Sequence, residues 1–161
     1  MKSKYSILSF SLFISLIWVN YAFTSSKQTA LNAHQSFSDT IDLSKYKDKI
    51  LVIHFWASWS KTSRTENKNL VRIYQKHKTN PNIEIISISL DTDESNWKIA
   101  MEEDGMVWKQ HFCDFKKYDS KFAKQFGIIS IPKLILINKN KSKSYPISVA
   151  ELDIDLQAIL K

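Results

Sequence analysis

The continuous apolar run Ile50–Trp56, interrupted only by His54, constrains the fold of this chain more than any other feature. A strand with one solvated face alternates apolar and polar residues; a run like this one is buried on both faces. That places it inside a parallel or mixed sheet with helices packed on it. Ile83–Leu90 reads as a second buried strand. Between the two, Leu70, Val71, Ile73, Tyr74 and His77 recur at helical spacing, closed by the polar turn Lys78-Thr79-Asn80-Pro81-Asn82.

The remaining elements follow by the same reasoning. Asp39–Ser44 alternates apolar and polar residues and predicts a short leading strand. Asp93 or Ser95 starts a helix with Trp97, Ala100 and Met101 on one face, and Gly105 ends it. Val107–Phe112 predicts a short strand, and Ser120 caps a short helix ending at Gly127. Lys133–Ile137 pairs with Tyr145–Val149 as a hairpin, with Pro146 at a sheet edge because it cannot donate a ladder hydrogen bond. Leu152, Leu156, Ile159 and Leu160 form the apolar stripe of a C-terminal helix. The predicted order, β-β-α-β-α-β-α-β-β-α, is one α/β domain with a central mixed sheet flanked by helices.

Charge and composition narrow the function classes. The 161-residue chain carries a net charge of +7, but its lysines are scattered among isoleucine, serine and asparagine. The densest cluster, residues 139–143, lacks interleaved aromatics and reads as a solvated hairpin turn, so no nucleic-acid partner is expected. Residues 1–26 read as an export signal: Lys2 and Lys4 precede the apolar stretch Ile7–Phe23, with cleavage expected near Ala22 or Ser25. Ser9, Ser11, Ser15 and Asn20 make that stretch a poor membrane span, so no stable membrane insertion is expected after cleavage, and an anchor only if the segment is retained. Residues 27–37 form a polar lead-in, and the domain occupies 38–161. An exported chain with one cysteine, Cys113, forms no internal disulfide. His34, His54, His77 and His111 show no ligand spacing, and two glycines cannot build a phosphate cradle, so neither metal nor cofactor is expected.

Three motifs carry a resemblance. Phe55-Trp56-Ala57-Ser58-Trp59-Ser60-Lys61-Thr62-Ser63-Arg64 resembles the FWASWCxxCR signature of periplasmic thioredoxin-like oxidoreductases of the TlpA/ResA type, with serine at both cysteine positions. Gly127-Ile128-Ile129-Ser130-Ile131-Pro132-Lys133 resembles that family's cis-proline loop, and Ser89-Leu90-Asp91 before Trp97 its SxD…W segment. The resemblance covers about residues 38–161 and implies a thioredoxin fold with an extra helix–strand insertion. It also implies a cis bond at Ile131-Pro132, an exposed Trp59, and a groove formed by Trp59, Lys61, Ile131, Pro132 and Lys133. The chain departs from the family at Lys68, in place of the helix proline, and at Lys133, in place of threonine.

The catalytic candidates are weak. In the family the motif opens a helix whose N-terminus lowers the first thiol's pKa; a serine hydroxyl ionises too weakly to profit and cannot form a disulfide. Ser63-Arg64-Thr65-Glu66 fits a capping box, whereas the family alignment starts the helix near Ser60 and puts Ser63 in its first turn. By resemblance His54 lies beneath Ser63, where a neutral core histidine is favoured over a hydrolase-like pair. Cys113, at a strand end, reads as a small core hydrophobe. The resulting expectation is an exported domain, periplasmic or extracytoplasmic, that has lost thiol–disulfide chemistry. It would bind a protein or extended peptide segment of the cell envelope. The rival is a thiol oxidoreductase or peroxidase using Cys113 with an external resolving thiol.

Overall fold

The computed structural model describes residues 40–138 and 144–160. The signal and lead-in, residues 1–37, and the lysine cluster at 139–143 therefore lie outside the described residues. Five strands, β1 (Ile50–Trp56), β2 (Ile83–Ser89), β3 (Gln110–Cys113), β4 (Lys133–Ile137) and β5 (Ser144–Ile147), form one sheet in the order β3-β2-β1-β4-β5. β1 is central, parallel to β2 and antiparallel to β4, so the sheet is mixed. All seven β1 residues are buried, which is why the run tolerates no alternation. Four helices accompany the sheet: α1 (Lys61–His77), α2 (Glu94–Asp104), α3 (Lys121–Gln125) and α4 (Val149–Ile159).

The pleat of β1 divides the core in two. Ile50, Val52 and Trp56 pack with Leu70 and Ile73 of α1, Trp97 of α2, and Leu152 and Leu156 of α4. Leu51, Ile53 and Phe55 point the other way, onto Phe122 and Ala123 of α3 and onto Ile128. Side chains of alternate parity thus glue helices to opposite faces. Asp93 caps α2 by accepting from Asn96 N–H, and Gly105 ends it at φ 72°, a conformation that glycine adopts without a Cβ penalty. None of the described helices is long and apolar enough to cross a membrane.

Three predicted elements change. The leading strand predicted at Asp39–Ser44 is, over its described residues, replaced by a 3₁₀ turn at Leu43–Tyr46. Asp42 accepts from Ser44 N–H at 2.9 Å, and Gln125 satisfies both backbone groups of Ile41, at 3.2 and 3.1 Å. Side chains there do what a neighbouring strand would have done. The strand predicted at Val107–Phe112 sits later, at Gln110–Cys113, and leaves Val107 exposed. The last strand ends at Ile147 rather than Val149. Ser148 and Glu151 form a reciprocal capping box that starts α4 at Val149. Pro146 lies in β5, at an edge of the sheet.

Candidate functional site

The motif turn, residues 57–60, leaves the C-terminal end of β1. Register pairs Phe55 with Lys133 at the start of antiparallel β4, so the turn and the Ile131-Pro132 loop emerge side by side. The Ile131–Pro132 peptide bond is cis. Trp59 is exposed to 53%, while Ile131, Pro132 and Lys133 are half-buried. The sequence-derived groove residues Trp59, Lys61, Ile131, Pro132 and Lys133 therefore share one end of the sheet.

A buried carboxylate holds the turn. Asp91, 1% exposed, accepts from the Ser58 N–H at 3.0 Å, from Ser58 Oγ at 2.6 Å and from Ser89 Oγ at 2.6 Å. Three hydrogen bonds to one buried carboxyl group tie the end of β2 to the residue before Trp59. The Ser89-Leu90-Asp91 motif marked this position, but not its partner.

The helix start resolves the roles of the two serines. Ser60 is the N-cap of α1, and its Oγ accepts from Ser63 N–H at 3.2 Å. The capping box at Ser63-Arg64-Thr65-Glu66 is thereby corrected: Ser63 lies in the first helical turn, fully buried, and its Oγ has no partner among the described residues. The cap falls at Ser60 because that residue has extended backbone, at φ −93° and ψ 107°, as a cap requires. One turn on, Arg64 bonds Asp104 and Glu103 of α2, and Asn67 donates to Asp104 at 2.8 Å. This ionic lock fastens α1 to α2. The Asp104 bond, the largest cause, pushes the Arg64 pKa above its ordinary value. Lys68 is exposed within the 17-residue α1, which runs without interruption.

His54 and Cys113 do not join the motif turn chemically. His54 is fully buried, with Nδ1 3.3 Å from Ser87 Oγ and its ring stacked on Trp56. Among the described residues its Nε2 has no partner and neither does Ser63 Oγ, so the two form no Ser63–His54 pair. Burial lowers its pKa to about 3, keeping the imidazole neutral. Ser87 also aligns with His111 of β3, so His54, Ser87 and His111 form a polar row across three strands. Burial lowers the His111 pKa to about 4. In the next row of the same face, Trp56 aligns with Ser89 and Ser89 with Cys113. Cys113 is thus two strands, roughly 10 Å, from the root of the motif turn. Its Sγ donates to the Asp91 carbonyl at 3.6 Å, and burial pushes the thiol up to about 12.

Sequence reasoning missed the third wall of the groove. The loop after β3 brings Lys117 Nζ to 5.7 Å from the Trp59 ring centroid, a cation–π contact. Phe115 and Lys117 in that loop have φ 60° and 51°, left-handed conformations uncommon outside glycine, and Phe115 packs edge-on against Trp97. Tyr118 of that loop and Ile129, two residues before Ile131, are exposed to 39% and 91%. Nothing local in the sequence around Lys117 signalled contact with Trp59, 58 positions earlier. Among the described residues, Lys61, Lys117 and Lys133 have no ion-pair partner, and Lys117 is held over Trp59. No cluster of metal-ligating residues occurs among the described residues.

Comparison with known proteins agrees with this geometry. A family model described as thioredoxin-like matches residues 48–142, more than half of the chain. Tryparedoxin of Trypanosoma brucei brucei is 33% identical over 103 residues, 64% of this chain and 70% of that protein. The thiol-disulfide oxidoreductase ResA of Bacillus cereus is 31% identical over 110 residues, 62% of this chain and 55% of that protein. Among solved structures, a thiol-disulfide oxidoreductase from Bacteroides fragilis superposes with a TM-score of 0.63 at 32% identity, covering 70% of this chain and 82% of that one. The chain belongs to the thioredoxin-like family of the TlpA/ResA type.

Proposed function

We propose that this protein is an exported thioredoxin-like domain that has lost dithiol–disulfide exchange and works as a binding or assembly module. The observation that carries the reading is the fate of Ser60. At the position where the family's signature has its first cysteine, this chain has a hydroxyl spent on capping α1, beside an exposed Trp59. Substrate recognition by an extended segment along a cis-proline loop uses main-chain bonds and flanking side chains rather than a thiol, so it can outlive the chemistry. Lys61, Lys117 and Lys133 favour an acidic segment, with affinity falling as salt rises. Export rests on the N-terminal sequence alone.

The rival reading, a one-cysteine redox enzyme, draws support from the names of the relatives. Against it stand the burial of Cys113 and its raised pKa, the reverse of what a nucleophilic thiol needs. Affinity capture from the protein's own cell envelope tests the leading reading. The captured partner should be lost with Trp59→Ala and retained with Cys113→Ser. Retention with Trp59→Ala and loss with Cys113→Ser would reverse the two readings.

A further inference from the structure

The end of the sheet opposite the motif turn carries a cleft of about 220 Å³. It opens where β1 and β2 begin, under the last turns of α1, and has no residue in common with the groove. Its floor is apolar: Ile73, Ile85 and Leu156 are buried, and Tyr74 and Trp108 meet there with ring centroids 5.5 Å apart. Its rim is cationic. Lys49, Lys78 and Lys109 line it against a single carboxylate, Glu84, which Lys49 binds at 2.7 Å. Lys78 and Lys109 are exposed and have no ion-pair partner among the described residues. The C-terminal end of α1 adds about half a negative charge, which the two free lysines outweigh.

Size and charge together select an occupant. Pockets for drug-sized ligands run from roughly 300 to 1,000 Å³, so this cleft suits something smaller, about one ring with a short stem. An apolar floor takes the ring, and unpaired cations at the mouth take an anion. We propose that this cleft binds a small, free monocarboxylate bearing one hydrophobic ring or a short chain. The carboxylate would sit between Lys78 and Lys109 and the apolar body against Trp108 and Tyr74. This inference is independent of the groove.

Phenylacetate is a suitable probe, with 2-phenylethanol as the uncharged match and acetate as the anion without a ring. Titrating each into the full-length ¹⁵N-labelled protein and following amide shifts reads the site directly. Phenylacetate should give saturable shifts at Lys78, Ile85 and Lys109, with a Kd near about 1 mM for a ligand of this size. The two controls should bind at least tenfold more weakly, since each satisfies only half of the site. Lys78→Gln with Lys109→Gln, both at exposed positions, should weaken phenylacetate at least tenfold and leave the remaining amide shifts in place. The proposal is overturned by the absence of saturable shifts in the cleft at 10-fold that concentration. It is overturned equally by phenylethanol or acetate matching phenylacetate, or by binding that ignores the double substitution.

Discussion

The motif turn and the end of β3 divide between them what a thioredoxin needs in one place. At Ser60 the chain has the environment that activates a thiol: the start of a 17-residue helix, neighbouring cations and an open groove. At Cys113 it has a thiol without the environment, buried and with its pKa pushed up to about 12. One strand, β2, lies between the root of the turn and Cys113, and Ser89 joins them in register. A reactive cysteine is made by its surroundings, and surroundings do not migrate to the nearest sulfur. Scaffold and reactive atom can therefore be lost or kept separately.

The sharpest way to break this comparison is to return sulfur to the motif turn. Ser60→Cys with Ser63→Cys should raise disulfide reductase activity from background to a readily measured rate. The thiol at position 60 should titrate below the ordinary value of about 8.5. A folded double variant without an internal disulfide or a lowered thiol pKa would show that the surroundings of Ser60 no longer activate anything.

The other side of the comparison is tested at Cys113. Pushing the Cys113 thiol up to about 12 cuts its thiolate fraction at neutral pH steeply, before any steric protection. Alkylation by iodoacetamide should therefore be at least about a hundredfold slower in native than in denatured protein. Equal rates would place a working thiol back in the molecule.

A smaller effect reports on the buried row that runs beside Cys113. His54 and His111 have folded pKa values lowered to about 3 and about 4, against 6.5 when unfolded. Between those values the unfolded chain binds protons that the native state refuses, so stability rises with pH. It should be highest above pH 6.5 and fall on acidification towards pH 4, by up to about 1.4 kcal/mol per pH unit for each histidine. Denaturant melts at pH 7.5 and 5 would measure it. His54→Gln should flatten the slope, and Ser60→Ala, at the exposed end, should leave it unchanged.

Much of this was legible in the sequence, for identifiable reasons. β1 is apolar on both faces, and only a covered sheet buries such a run. Asp93, Ser120 and Gly105 marked helix ends because capping is a local matter of a side chain and the backbone two or three residues away. The leading strand failed because alternation over six residues says nothing about the distant Gln125, whose amide takes both backbone groups of Ile41. At Ser60 and Ser63 two caps were locally plausible, and packing chose between them: Ser63 faces the core as a buried residue of the first turn of α1, so the helix begins before it.

The sequence by itself thus determined the buried central strands, the helix caps at Asp93 and Ser120, the family signature and the missing thiols at positions 60 and 63. Only the tertiary structure decided that Asp91 clasps Ser58, that Lys117 covers Trp59 and that Cys113 is sealed. It also decided that an apolar cleft ringed by lysines opens at the far end of the sheet. The physical reason is range. Periodicity and capping act over a few residues and leave their mark in the local sequence, whereas contacts between loops depend on which strands the sheet sets side by side.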